Sequence, residues 1–210
     1  MSQNTLYPIF LKLHRLKVLI VGAGEVGYEK LSFMLKSSPD ARITVVAKEV
    51  LAPVRRLIGE QRPEGLTIIR KPFEDEDTQG YHLVIAATNF RELNEQVRAA
   101  AKANGALVNV ADTPELCDFY LGSIVTRGNL KVAISTNGQS PTFAKRFRQW
   151  LEASLPEDTD DLLQNLNEFR RRLGGDFAEK VRQLNRLTAS LLAEEKEKGA
   201  PGESQATHKA

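Results

Sequence analysis

The sequence predicts an α/β protein built on a doubly wound parallel sheet, followed by a small α+β region and a helical C-terminal region. Three observations carry this. Short apolar runs, which read as strands buried on both faces, alternate with helix-like stretches over residues 17–112. The first run leads directly into Gly22-Ala23-Gly24-Glu25-Val26-Gly27, a G-x-G-x-x-G loop that opens a helix. After residue 112 the alternation stops and a hairpin followed by amphipathic helices takes its place. The first two observations together define a Rossmann-like arrangement, because right-handed crossovers are the only common way to join such strands.

Each element follows from its residues. Lys17-Val-Leu-Ile-Val-Gly22 is a continuous apolar run ending in glycine, the pattern of a central parallel strand. Glu25 to Lys36 places Val26, Leu31, Met34 and Leu35 at helical spacing, and Pro39-Asp40 closes it. Arg42-Ile-Thr-Val-Val-Ala47 is a second strand, Val50 to Ile58 a second helix and Leu66-Thr-Ile-Ile69 a third strand. Leu83-Val-Ile-Ala-Ala87 is a fourth strand, and Arg91 to Lys102 an alanine-rich helix stopped by Asn104-Gly105. Ala106-Leu-Val-Asn-Val-Ala111 is a fifth strand ending at Asp112. Ser123 to Thr126 and Leu130 to Thr136 flank Arg127-Gly128-Asn129 and read as a hairpin. Ser140-Pro141 is a cap followed by a first-turn proline, opening a helix to about Leu155. Leu162–Leu173 and Phe177–Leu192 are further helices split by Gly174-Gly175, and the polar stretch after about Glu194 is expected to be disordered. The expected division is therefore 1–112, 113–155, 156–194 and a tail of 195–210.

Composition narrows the function classes. A formal net charge of +2 over 210 residues implies no polyelectrolyte partner, so neither nucleic acid nor membrane is expected. A single cysteine, Cys117, permits no internal disulfide and reads as a small buried residue. The three histidines His14, His82 and His208 stand apart, with no metal-ligand spacing between them. The N-terminus lacks the basic and apolar regions of a signal peptide, and no apolar run approaches the roughly 20 residues of a spanning helix. The expected location is the cytoplasm.

The glycine loop carries the cofactor expectation. Gly22 permits the tight turn, Gly24 lets a pyrophosphate approach the backbone, and Gly27 lets helix and strand pack closely. The helix N-terminus offers free N–H groups and a partial positive charge. An acid that binds the ribose is expected about 20 residues on, near the end of the second strand. Glu49 fits that role; Lys48 would instead suit a 2′-phosphate, and both also read as the solvated start of a helix. NAD is the expected cofactor, since no arginine cluster follows the strand.

Ligands of open α/β sheets bind beyond the carboxyl ends of the strands. The tips expected there are Gly22-Ala23-Gly24, Ala87-Thr88-Asn89 and Asn109-Val-Ala-Asp112. Asp112 is the only acid among them, either a base beside the nicotinamide or a turn-former before Thr113-Pro114. Asn137-Gly-Gln-Ser140 is either an anion site or ordinary capping. Lys145, Arg146 and Arg148 accompany Phe143, Phe147 and Trp150 on the next helix, a pattern that suits nucleic acid or, more simply, an amphipathic helix.

Taken together, Tyr7-Pro-Ile-Phe-Leu, Val18-Leu-Ile-Val-Gly-Ala-Gly-Glu-Val-Gly-Tyr-Glu-Lys30, Val84-Ile-Ala-Ala-Thr-Asn89, Leu107-Val-Asn-Val-Ala-Asp112 and Ala133-Ile-Ser-Thr-Asn-Gly-Gln-Ser-Pro141 resemble one family. It is that of the precorrin-2 dehydrogenases, some also sirohydrochlorin ferrochelatases, which form the N-terminal part of siroheme synthases. The resemblance implies NAD-dependent oxidation of precorrin-2 to sirohydrochlorin by an intertwined homodimer. Its catalytic aspartate falls on Asp112, and its cofactor contacts fall on Glu25, Val26, Lys48 and Glu49. Asn109, Ser140, Arg127, Lys145 and Arg146 are expected to line a cleft for the polycarboxylate substrate, and Thr88 to meet the cofactor. No residues are expected to hold a metal. Two alternatives stand beside this: the same enzyme with added iron insertion, and a non-catalytic NAD(H) sensor or haem-delivery protein that would not need Asp112. The chain departs from the family at Gly122, where proline is common, and at Asn137-Gly138, where a Gly-Gly pair is usual. The methyltransferase domain of the fused synthases has no counterpart here, so this chain is not expected to make precorrin-2 itself.

Overall fold

A computed structural model describes residues 4–174 and 176–189. The end of the expected helix Phe177–Leu192, Gly175 and the expected tail lie outside the described residues.

Five parallel strands form the sheet: β1 (Lys17–Ala23), β2 (Arg42–Val50), β3 (Leu66–Ile69), β4 (Leu83–Ala86) and β5 (Leu107–Val110), in the order β3-β2-β1-β4-β5. Helices α1 (Glu25–Ser37), α2 (Ala52–Gln61) and α3 (Arg91–Ala103) provide crossovers. Strand order reverses between β1 and β4, which is the switch point where such sheets open a crevice. β6 (Ser123–Arg127) and β7 (Leu130–Ile134) form a separate two-stranded sheet, and α4 (Pro141–Ser154), α5 (Thr159–Arg172) and α6 (Phe177–Leu187) complete the described chain.

Burial explains the apolar runs. Alternate residues of a strand face opposite sides. Val18 and Ile20 of β1 therefore pack with Leu31 and Leu35 of α1 and Val54 of α2, whereas Leu19 and Val21 pack with Val97 and Ala101 of α3. Both faces are covered, so β1 has no polar face to show. Each fully buried aliphatic side chain contributes about 1.5–3 kcal/mol.

Several boundaries differ from the sequence reading, two of them near the glycine loop and the hairpin turn. β2 continues to Val50 and α2 begins only at Ala52, because Val50 pairs with Ala23 and Pro53 suits a first helical turn. The hairpin turns on two residues, Gly128-Asn129, with positive φ at Gly128 (51°) only. So short a connection joins only antiparallel strands, and a glycine first in the turn is the type II′ preference. Short 3₁₀ turns at Asp75–Thr78 and Pro114–Leu116 were not legible in the sequence.

The chain divides into two compact units. One comprises residues up to Thr126 with Lys131–Ser154; the other comprises Arg127–Leu130 with residues from Leu155 onward. In the second unit Asp160 accepts from the backbone and side-chain N–H groups of Asn129 at 2.7 and 2.8 Å, which holds its carboxyl below the usual range.

Candidate functional site

The glycine loop is built by steric necessity. Gly22 has φ 109°, and a Cβ there would stand 2.4 Å from the Ala87 carbonyl oxygen. A Cβ on Gly27 would stand 2.2 Å from the Gly22 carbonyl oxygen, so only glycine lets α1 approach β1 this closely. Gly24 is different. Its backbone is extended (φ −79°, ψ −162°), and a Cβ there would meet nothing within 4 Å. The space in front of Gly24 is open at the position where a dinucleotide's pyrophosphate must approach the backbone. Gly24 is also the N-cap of α1 and supplies no capping side chain, so the first-turn N–H groups at Glu25 and Val26 are left for a ligand. Glu25 is exposed and Val26 half-buried against the core. These residues fit an NAD(P) group.

Lys48 and Glu49 do not follow β2 as expected; they lie within it. Val21 pairs with Val46 but Ala23 pairs with Val50, so β2 carries two extra residues opposite Gly22. Both side chains are exposed on this bulge, beside the glycine loop. Bulges of this kind re-aim side chains at strand ends.

Thr88 is tied into the corner between β4 and α3. Its hydroxyl donates to Asn94 Oδ1 at 2.7 Å and accepts from the Phe90 N–H at 3.2 Å, while Asn94 Nδ2 donates to the Thr88 carbonyl at 3.0 Å. Asn94 is buried, and the pair ties the β4 tip to the start of α3. The Thr88 side chain is thereby fixed at this corner, half-exposed at the tip of β4.

Asp112 sits where β5 ends. Val21, Ala86 and Val110 are level across β1, β4 and β5, so Asp112 rises past the sheet rim on the strand beyond the switch point. Adjacent strands are about 4.8 Å apart, which puts the β5 tip roughly 10 Å from the glycine loop. Asp112 is exposed and has φ 56°. Among non-glycine residues, Asp and Asn best tolerate this left-handed conformation.

Asn109 is bonded within the protein. It is buried, and its Nδ2 donates to the Phe119 carbonyl at 2.8 Å, which secures the chain after β5. Cys117 is half-buried, accepts from the Val110 N–H at 3.2 Å and donates to the Val110 carbonyl at 3.2 Å. Burial pushes its thiol up, away from nucleophile chemistry. Asp118, which the sequence did not single out, bonds Lys102 Nζ at 2.9 and 3.0 Å and accepts from the Val108 N–H at 2.9 Å.

Ser140 caps α4: its Oγ accepts from the Phe143 N–H at 3.2 Å. Lys145 and Arg146 are exposed on α4 in the first unit, whereas Arg127 is half-buried in the second. Asn137 has φ 53° and Gly138 φ 76°, so the pair occupies two left-handed positions, one of which asparagine tolerates. Phe143, Phe147 and Trp150 stack along the exposed face of α4, with ring centroids 5.8 and 5.6 Å apart. A cavity of about 500 Å³ near His14, Asp40 and Lys131 lies at the opposite, amino-terminal end of the strands. Among the described residues no group of three or more His, Cys, Asp or Glu side chains is placed to hold a metal ion, and no helix is long and apolar enough to cross a membrane.

A parallel sheet with its glycine loop at the switch point and a glycine-capped helix aimed at the crevice defines a dinucleotide-binding protein of Rossmann type. Comparison with known proteins narrows this. The chain belongs to the family described as "Putative NAD(P)-binding", whose model matches residues 9–123, and residues 127–154 match the central region of sirohaem biosynthesis proteins. A siroheme synthase of Methylococcus capsulatus is 41% identical over 177 residues, covering 84% of this chain and 34% of that protein. One of Pseudoalteromonas atlantica is 36% identical, covering 90% of this chain and 44% of the relative. The chain thus spans about a third of the length of the first of these, and less than half of the second. Among solved structures, "SirC, precorrin-2 dehydrogenase" superposes with a TM-score of 0.70 at 29% identity, covering 87% of this chain and 89% of that one.

Proposed function

We propose that this chain oxidises precorrin-2 to sirohydrochlorin with NAD, in the cytoplasm and as a homodimer. The observation that carries the reading is the pairing of an open Gly24 cradle with Asp112, an exposed acid just past the tip of β5, two strands from β1. The likeness to a precorrin-2 dehydrogenase structure over nearly its whole length supports it.

NAD supplies the hydride acceptor when bound. The N–H groups at the start of α1 hold its pyrophosphate, and Gly24 leaves room for it. Glu49, on the β2 bulge, would accept hydrogen bonds from the ribose hydroxyls, and its charge disfavours a 2′-phosphate; Lys48, on the same bulge, is a further candidate contact. Removal of a hydride leaves the macrocycle one proton too rich. Asp112 takes that proton and, while ionised, stabilises the positive charge that develops as hydride departs. Lys145 and Arg146, both exposed, attract a polycarboxylate, with Ser140 as a further candidate for substrate contact.

The homodimer reading rests on apolar surface. Phe143 and Trp150 are each 59% exposed and Tyr7 86%, more aromatic surface than a monomer usually shows to water. The test of function is anaerobic incubation of the purified chain with precorrin-2 and NAD. Appearance of the sirohydrochlorin chromophore together with stoichiometric NADH is expected. Bound NAD without any change in the chromophore would instead favour the non-catalytic sensor.

A further inference from the structure

We propose that the segment Thr113–Phe119 is a strap that positions Asp112, and that Asp118 is the positioning residue that fastens it. The proposal rests on the reading of Asp112 as the proton acceptor. β5 is an edge strand whose only sheet neighbour is β4, so its outer edge has backbone groups to satisfy. No sixth strand covers that edge. Instead the chain reverses after Asp112 and runs back along it.

The ties are dense. The Asp118 N–H donates to the Val108 carbonyl at 2.7 Å, and the Val108 N–H donates to Asp118 Oδ2 at 2.9 Å. Asn109 Nδ2 reaches the Phe119 carbonyl at 2.8 Å, and Cys117 bonds both backbone groups of Val110. From α3, Arg98 Nε donates to the Leu116 carbonyl at 3.1 Å and Lys102 Nζ pairs with both Asp118 oxygens. Residues 116 to 119 are thus each held, and Asp112 stands at the reversal they enforce. A left-handed conformation is uncommon for a non-glycine residue even where aspartate tolerates it, and its surroundings hold it. The strap is that surrounding. Asp118 dominates it because one carboxylate accepts at once from a backbone N–H of β5 and an ammonium of α3, both charge-assisted bonds.

A strap of this kind acts on the chemistry through Asp112 and leaves the glycine loop, on β1, untouched. The test is a double-mutant cycle in the full chain with precorrin-2 and NAD, using Asp118→Ala and Asp112→Asn singly and together. Asp118→Ala is expected to lower kcat about 10- to 100-fold, the scale of a misplaced catalytic group, with KM for NAD unchanged. In the Asp112→Asn background the same substitution should change kcat little, because the group it positions no longer acts. Losses that multiply in the double variant would overturn the strap while leaving Asp112 as the base. Near-normal turnover by Asp112→Asn alone would overturn the base, and the strap with it. Should Asp118→Ala fail to fold, Lys102→Met removes only the ammonium: a smaller fall in kcat at constant KM for NAD is expected, and unchanged kcat refutes the proposal.

Discussion

At the scale of single residues, the three loop glycines are not equivalent. Gly22 and Gly27 are demanded by the protein itself, since a Cβ on either would collide with a backbone carbonyl. Gly24 is demanded by nothing in the protein. Gly24→Asp is therefore expected to keep the fold and even to raise Tm slightly, because aspartate is a favoured N-cap. It should nevertheless abolish NAD binding by placing a carboxylate where the pyrophosphate lies. Calorimetry and thermal melting on the same sample check both halves, and retained NAD affinity would refute the cofactor site. Asp112 calls for equal care. At φ 56° alanine would add backbone strain to any loss of chemistry, whereas asparagine accepts the conformation. Asp112→Asn is expected to lower kcat about 10²- to 10⁴-fold, the usual cost of losing a general base, with NAD affinity and Tm nearly unchanged. Stopped-flow turnover with precorrin-2 measures it.

At the scale of elements, the loop after β5 links pH to stability. Burial tends to raise the Asp118 carboxyl, but the Lys102 ammonium and the Val108 N–H outweigh it and hold it below the ordinary carboxylate value. A carboxyl with a lowered folded-state pKa stabilises the fold above its unfolded-state pKa, near 3.9, and loses that contribution as pH falls through the lower folded value. Asp118→Asn is therefore expected to destabilise the protein at neutral pH and to flatten its acid limb. Urea midpoints measured at neutral pH and in the acid range would reveal this as a gap between wild type and variant that closes on acidification. The hairpin obeys a steric constraint of its own. A Cβ on Gly122 would lie 2.5 Å from the Ile134 carbonyl oxygen, so any larger residue there would need the β7 backbone to shift.

At the scale of the whole molecule, the described helices after the sheet bury little. α4 has one buried residue, Ala144, and α5 and α6 have none. Helices with amphipathic faces and no core of their own call for a partner surface. Under the dimer proposed above, light scattering at micromolar concentration should report twice the chain mass, with an interface well above the ~1,600 Å² of a standard complex. Replacing Phe143 and Trp150 together by serine should weaken association markedly without unfolding the sheet, since both rings are largely exposed. A monomeric wild type would refute the dimer.

The sequence by itself determined the sheet, its crossovers and the glycine loop, because these rest on local patterns. Strands buried on both faces must be continuously apolar, and a G-x-G-x-x-G turn is legible in six consecutive residues. It also placed Asp112 at a strand tip, since strand ends follow from where the apolar run stops. Only the tertiary structure decided that Lys48 and Glu49 sit on a bulge within β2, because that depends on how β2 pairs with β1 across some 25 intervening residues. It alone paired Thr88 with Asn94 and Asn109 with the Phe119 carbonyl, and brought Asp118 to Val108 and Lys102. A polar side chain's partner is chosen by which backbone groups the fold leaves unsatisfied nearby. No one-dimensional pattern records that choice, because the unpaired edge of β5 exists only once the sheet is assembled.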